Sequence, residues 1–140
     1  MGARTIRPIA APPSRPVAIV VPPFAVSTAD AYGWLAASRG EYRPSGVVLD
    51  PSDLATWEGI ADLASNEFEP VVGARHAEIG QAVDGLQRSG ALLGMMSGSG
   101  SACFGVFDHA PAGETIPVPS GSRILMTRTA ERVVPVECAE

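Results

Sequence analysis

Residues 94–107 read GMMSGSGSACFGVF, two apolar runs on either side of Ser97-Gly98-Ser99-Gly100-Ser101. A Gly/Ser repeat is the usual composition of a flexible tether. Here apolar residues abut the repeat on both sides and leave it no length to act as one. By spacing, ALLGMM (91–96) and ACFGVF (102–107) pair as adjacent antiparallel strands, with the repeat as their turn. The same run can present successive N–H donors and hydroxyls around one point without side-chain clash, which suits an anion. On spacing alone, the turn and the anion cradle both stand.

The segments flanking this hairpin decide what it packs against. HAEIGQAVDGLQRSG (76–90) puts Ile79, Val83 and Leu86 on one helical face, with Glu78, Gln81, Asp84, Gln87 and Arg88 away from it and Gly90 as a stop. Upstream, DPSDLATWEGIADLAS (50–65) predicts a helix with Asp50 as cap, Pro51 at the first position and a stripe of Leu54, Trp57, Ala61 and Ala64. NEFEPVV (66–72) ends that helix or its extension by Glu69, because the residue before Pro70 is steered away from α geometry. PVAIVVPPF (16–24) predicts a buried strand that stops at Pro22. STADAYGWLAASRG (27–40) predicts a short helix with Ser27 and Asp30 at capping spacing, Ala31, Tyr32, Leu35 and Ala36 on one face, and Gly40 as its end. After the hairpin, 108–122 reads as surface loop and 123–137 as one or two strands. The expected fold class is α+β, with helices on one face of an antiparallel sheet.

At 140 residues, 46% hydrophobic and 18% charged, the chain has the size and composition of one packed domain. Residues 1–15 read as a linker or disordered tail and 16–137 as the domain. The net charge is -5, and the ten cationic residues are all arginines, spread from Arg4 to Arg132 without a cluster. Nucleic acid and anionic membrane are therefore not expected partners. The longest apolar run, Val17–Val21, is far short of the roughly 20 residues of a membrane span, and the N-terminus lacks a signal-peptide core. These features predict a soluble, cytoplasmic setting with Cys103 and Cys138 reduced. The absence of lysine excludes a P-loop and Schiff-base chemistry within this chain.

Candidate chemistry is sparse. His76 and His109 read as surface histidines with no triad partner, and no metal-ligand spacing occurs. Cys103 reads as a small buried hydrophobe. Glu67 and Glu69 flank Phe68 as either an acid/base pair or a solvated helix end, with the solvated end favoured. Ser27, Thr28 and Tyr32 bring hydroxyls to a helix start, where a ligand contact and a plain cap are both open.

Four stretches carry a resemblance: VVPPFAVSTADAYGWL (20–35), ASNEFEPVV (64–72), residues 76–107 and LMTRT (125–129). In order and spacing they resemble the GHMP kinases, within them the branch acting on 4-diphosphocytidyl-2-C-methyl-D-erythritol in non-mevalonate isoprenoid synthesis. The resemblance implies a ferredoxin-like sandwich, the family's C-terminal domain. It implies that Ser97, Gly98, Ser99, Gly100 and Ser101 support the ATP phosphate loop, and that Thr28 and Tyr32 line the cytidine side of the substrate. ATP and Mg²⁺ are the implied cofactors, and the γ-phosphoryl group goes to the substrate's 2-hydroxyl. The family's nucleotide loop, catalytic lysine and catalytic aspartate have no counterpart here, so no catalytic or metal-binding residue is expected in this chain. A second departure is the proline-rich 108–122, where the family usually carries a helix. The expectation is a C-terminal, substrate-side domain that is inactive alone and works with a separate N-terminal kinase half. It should expose apolar area near Phe24, Tyr32 and the 97–101 loop. The competing reading is a free-standing, non-catalytic module that binds a small molecule or regulates.

Overall fold

A computed structural model of the chain describes residues 8–39 and 49–132. The β-branched run Pro16–Val21 forms β1, which ends where Pro22 has no N–H to offer a neighbour. β1 lies inside a four-stranded antiparallel sheet between β3 (Cys103–Val106) and β4 (Arg123–Arg128), and β2 (Leu93–Met96) completes the order β2-β3-β1-β4. β2 and β3 are the expected hairpin, in register from Leu93 opposite Val106 to Met96 opposite Cys103. On the other side of β3, Val17 stands opposite Val106 and Val20 opposite Cys103. Along the far edge of β1, Pro16 stands opposite Arg128 and Val21 opposite Arg123.

The helical part comprises α1 (Thr28–Arg39), α2 (Trp57–Leu63), α3 (Phe68–Gly73) and α4 (Ala77–Arg88). α4 buries the stripe of Ile79, Val83 and Leu86, joined by Ala82 and Gly85, and packs on β2 and β3. Side chains alternate across a strand, so Ala18, Val20, Met96 and Cys103 share one sheet face. That face closes the core with Ile79, Leu86, Phe107, Ala31 of α1 and Val72 of α3. Each fully buried Val, Leu, Ile, Phe or Met among these contributes about 1.5–3 kcal/mol. The α+β class with helices against one face of an antiparallel sheet is the observed one.

Four local expectations are corrected. The helix expected over 50–65 is two elements, a 3-10 turn at Pro51–Leu54 and then α2, because two caps compete along it. Asp50 Oδ1 accepts from Ser52 N–H at 2.9 Å and starts the first, while Thr56 Oγ1 accepts from Gly59 N–H at 3.1 Å and starts the second. Leu54, Trp57, Ala61 and Ala64 remain half-buried across the break. Helix does not stop at Glu69: α3 starts at Phe68 and runs through Pro70 to Gly73. Pro70 is its third residue, where an N–H has no partner within the helix and proline forfeits nothing.

The loop 108–122 is not purely superficial. It contains a 3-10 turn at Gly113–Thr115, buries Ile116 to 4% exposure, and crosses α4 so closely that a Cβ on Gly85 would lie 1.8 Å from the Pro117 carbonyl oxygen. Finally, α1 buries Ala31 and Leu35 but leaves Ala36 exposed and Tyr32 60% exposed. A phenol needs a hydrogen-bond partner to be buried, and α1 rests on its two aliphatic positions instead. The stop at Gly40 and the strand continuation over 133–137 lie outside the described residues. Ahead of β1, Ser14 Oγ donates to the Thr129 carbonyl at 2.8 Å, and the Trp57 indole N–H donates to the Pro13 carbonyl at 2.6 Å.

Candidate functional site

Three segments far apart in sequence meet at one corner of the molecule: the start of α1, the start of α3 and the β2–β3 turn. Ser27 immediately precedes α1; its Oγ accepts from Asp30 N–H at 3.3 Å and its carbonyl accepts from Ala31 N–H at 3.0 Å. Thr28 follows, with its Oγ1 3.3 Å from Ser99 Oγ. One turn later on the same side, Tyr32 meets Phe68 of α3 edge to face, with ring centroids 5.0 Å apart. Thr28 and Tyr32 thus stand side by side, one touching the glycine-rich turn and the other the head of α3.

The turn over 97–101 closes with Ser97 N–H donating to Ala102 O at 2.8 Å and Gly100 N–H to Ser97 O at 3.1 Å. Gly98 (φ 54°) and Gly100 (φ 89°) take the left-handed backbone that glycine adopts without penalty. The five residues differ in exposure, with Ser99 and Gly100 half-buried between the two extremes. Ser97 and Gly98 are exposed, and among the described residues the N–H groups of Gly98 and Ser99 have no protein partner. Ser101 is buried, and its hydroxyl donates to the Phe24 carbonyl at 2.6 Å, so it serves as a tie within the fold. An open cleft of about 550 Å³ adjoins the turn, lined by Asn66, Phe68, Met95, Met96 and Gly98 among others.

The roles of Asn66 and Glu69 were missed by reasoning on sequence. Asn66 Nδ2 donates to the carbonyls of Met96 at 2.7 Å and Gly98 at 2.8 Å, while its Oδ1 accepts from Phe68 N–H at 2.9 Å. Glu69 Oε1 accepts from Met96 N–H at 2.7 Å. Glu69 is therefore neither a solvated helix end nor paired with Glu67, which instead forms an ion pair with Arg39. The Asn-x-x-Glu spacing, close to that of a capping box, was the available signal. Beneath the turn, Cys103 is fully buried; burial first, and the nearby Glu69 carboxylate second, push its thiol up to about 12 from 9.0. His76 is half-buried rather than on the surface, stacked on Phe24 with centroids 4.4 Å apart, whereas His109 is exposed. Among the described residues no three His, Cys, Asp or Glu side chains gather as a metal site, and no helix is long and apolar enough to cross a membrane.

A helix-backed antiparallel sheet with a glycine-rich β2–β3 turn facing two helix starts has a known counterpart. Residues 52–116 match the family described as GHMP kinases C terminal. The chain is 36% identical over 104 residues to 4-diphosphocytidyl-2-C-methyl-D-erythritol kinase of Bacillus cereus (strain AH187), and equally to that of Bacillus anthracis (strain CDC 684 / NRRL 3495). Each alignment covers 74% of this chain and 36% of the relative, so the chain spans about a third of the length of the curated relatives it matches. The fold is also that of a solved 4-(cytidine 5'-diphospho)-2C-methyl-D-erythritol kinase, at TM-score 0.50 and 24% identity, over 75% of this chain and 37% of the other.

Proposed function

We propose that this chain is the substrate-side part of an ATP-dependent kinase that phosphorylates the 2-hydroxyl of 4-diphosphocytidyl-2-C-methyl-D-erythritol, in a cytoplasmic isoprenoid route. The carrying observation is the meeting of Thr28, Tyr32, Phe68 and the 97–101 turn at one corner, since these come from three of the stretches on which the resemblance rests. The exposed Tyr32 ring offers a cytosine a flat partner with a hydroxyl at its rim, and base–aromatic stacking is worth about 1–3 kcal/mol. Thr28 adds a hydroxyl donor beside it. The unpartnered N–H groups of Gly98 and Ser99 supply neutral donors for a phosphate oxygen or for the backbone of a neighbouring phosphate loop. Ser97, Gly98, Ser99, Gly100 and Ser101 form that supporting wall, with Ser101 holding it from behind.

Mg²⁺ and ATP belong to the reaction, in which positioned charge stabilises the transferring phosphoryl group. The described residues give the ion no donor cluster, and the chain has no lysine to hold a phosphate. The part played by this chain is accordingly to bind and orient the substrate, with the domain running from about residue 16 and the chemistry supplied by a separate kinase half. Two measurements test this reading. Cytidine 5'-diphosphate should bind the isolated chain in calorimetry and lose most of its affinity in Tyr32→Ala. The isolated chain should show no ATP-dependent phosphorylation of the full substrate. Turnover by the chain alone, or nucleotide binding indifferent to Tyr32, would refute it.

A further inference from the structure

β2 is an edge strand, and an edge strand presents a row of free N–H and C=O groups that invites another chain to pair. In an antiparallel ladder these groups point alternately inward and outward. Ser97 N–H bonds inward to Ala102, so the outward groups of this edge are those of residues 94, 96 and 98. All three positions are met by side chains. Gln87 Nε2 approaches Gly94 O at 3.5 Å, Glu69 takes Met96 N–H, and Asn66 takes both Met96 O and Gly98 O. The Asn66–Glu69 pair thus occupies the place of a missing neighbouring strand, and it does so where the strand becomes the glycine-rich turn.

We propose that Asn66 and Glu69 are positioning residues that set the geometry of the 97–101 turn, so that its exposed donors depend on a clamp from α3 and not on the hairpin alone. Asn66 fits this task by its atom inventory: two amide hydrogens meet two carbonyls, and one oxygen meets the Phe68 N–H that starts α3. Gly98 O is the only one of these acceptors inside the turn itself, and at φ 54° its backbone has little side-chain restraint to keep it in place without that bond. Glu69 contributes a charge-assisted acceptor that fixes the last residue before the turn. The effect on ligand binding rests on the functional reading above; the effect on the turn does not.

The roles separate by substitution. Asn66→Asp keeps the acceptor for Phe68 N–H, but replaces both donors with a carboxylate facing two carbonyls. Glu69→Gln keeps the acceptor for Met96 N–H, and Glu69→Ala removes it. In amide NMR and hydrogen exchange on the 140-residue chain, N66D should shift the Gly98, Ser99 and Gly100 resonances, and E69A should speed exchange at Met96, while E69Q stays like the wild type. Val83→Ala, which lowers stability from inside α4, should leave the turn resonances in place, so a general loss of stability is distinguished from loss of the clamp. With cytidine 5'-diphosphate as probe, N66D should weaken binding about tenfold or more, the scale of two lost hydrogen bonds. If the wild type does not bind the nucleotide, the functional reading fails and the amide readout still decides the clamp. A folded N66D with wild-type turn resonances overturns the proposal.

Discussion

Gly85→Ala should cost this protein stability although alanine is the better helix former, and Gly80→Ala, five residues earlier on the same helix, should raise it. At Gly85 the added Cβ would lie 1.8 Å from the Pro117 carbonyl oxygen, against the 3.0 Å that real Cβ atoms keep. Either α4 or the backbone around Pro117 must therefore retreat by about 1.2 Å, measured between those two distances. Overpacking of this kind costs about 1–3 kcal/mol. The retreat also pulls on Ile116, buried one residue before the contact, whose full exposure would cost about 1.5–3 kcal/mol more. Alanine's helix propensity returns about 1 kcal/mol. The net expectation is a loss of about 2 kcal/mol, a sizeable share of the 5–15 kcal/mol by which domains are stable. At Gly80 nothing lies within 4 Å of the added Cβ, and only the gain of about 1 kcal/mol remains. Urea unfolding followed by circular dichroism, with the slope unchanged so that midpoints compare directly, measures both. If the two variants shift the midpoint in the same direction, the packing of the Pro117 segment on α4 is refuted.

Three further predictions concern Cys103 and Gly100 at the turn and Thr56 at the start of α2. The Cys103 thiol is neutral when folded up to about 12, against 9.0 when unfolded, so its contribution is fully present below pH 9 and is lost as pH rises above it. Stability should fall by about 1.4 kcal/mol per pH unit from this group between pH 9 and 11, and a urea midpoint unchanged from pH 8 to 10 would contradict it. Gly100→Ala should destabilise by about 1–2 kcal/mol, because the φ of 89° strains any side chain and its Cβ would press on Met96 Sδ at 2.9 Å; an unchanged melting temperature would argue against that backbone. Thr56→Ala removes the acceptor for Gly59 N–H and should cost about 1 kcal/mol, with loss of helical circular dichroism confined to one short element.

Much of the fold was legible because it is local. Ile79, Val83 and Leu86 repeat at the period of a helix, and GMM and CFGV flank a turn too short to do anything but reverse the chain, so α4 and the hairpin follow from neighbours in sequence. Pro70 was misjudged because its effect depends on where the helix starts. That start is set by Asn66, whose side chain is committed to β2 some 30 residues on. Tyr32 was placed inward because it shares a helical face with Ala31 and Leu35, yet the polar tip of the ring decides its place and not the period. At the candidate site, resemblance offered Thr28 and Tyr32 as expectations, and the residues the structure sets beside the turn had no such signal. Glu69 carries its meaning only when Met96 N–H stands 2.7 Å away, and no spacing along the chain encodes that.

The position of β1 has a consequence for how the protein is made. Of the four strands it is the first to leave the ribosome, but both of its partners, β3 and β4, come from the far side of the helices, with Pro16 paired to Arg128 more than a hundred residues later in sequence. During synthesis the helical stretch can gather from nearby contacts, while PVAIVV waits with both edges open until nearly all of the described chain has been translated. In that interval this apolar strand is the part of the nascent chain most suited to pair with the wrong neighbour. Completing the sheet is therefore a late event in the life of each molecule, and slowing translation after β1 should lengthen the period of exposure without helping the strand to fold.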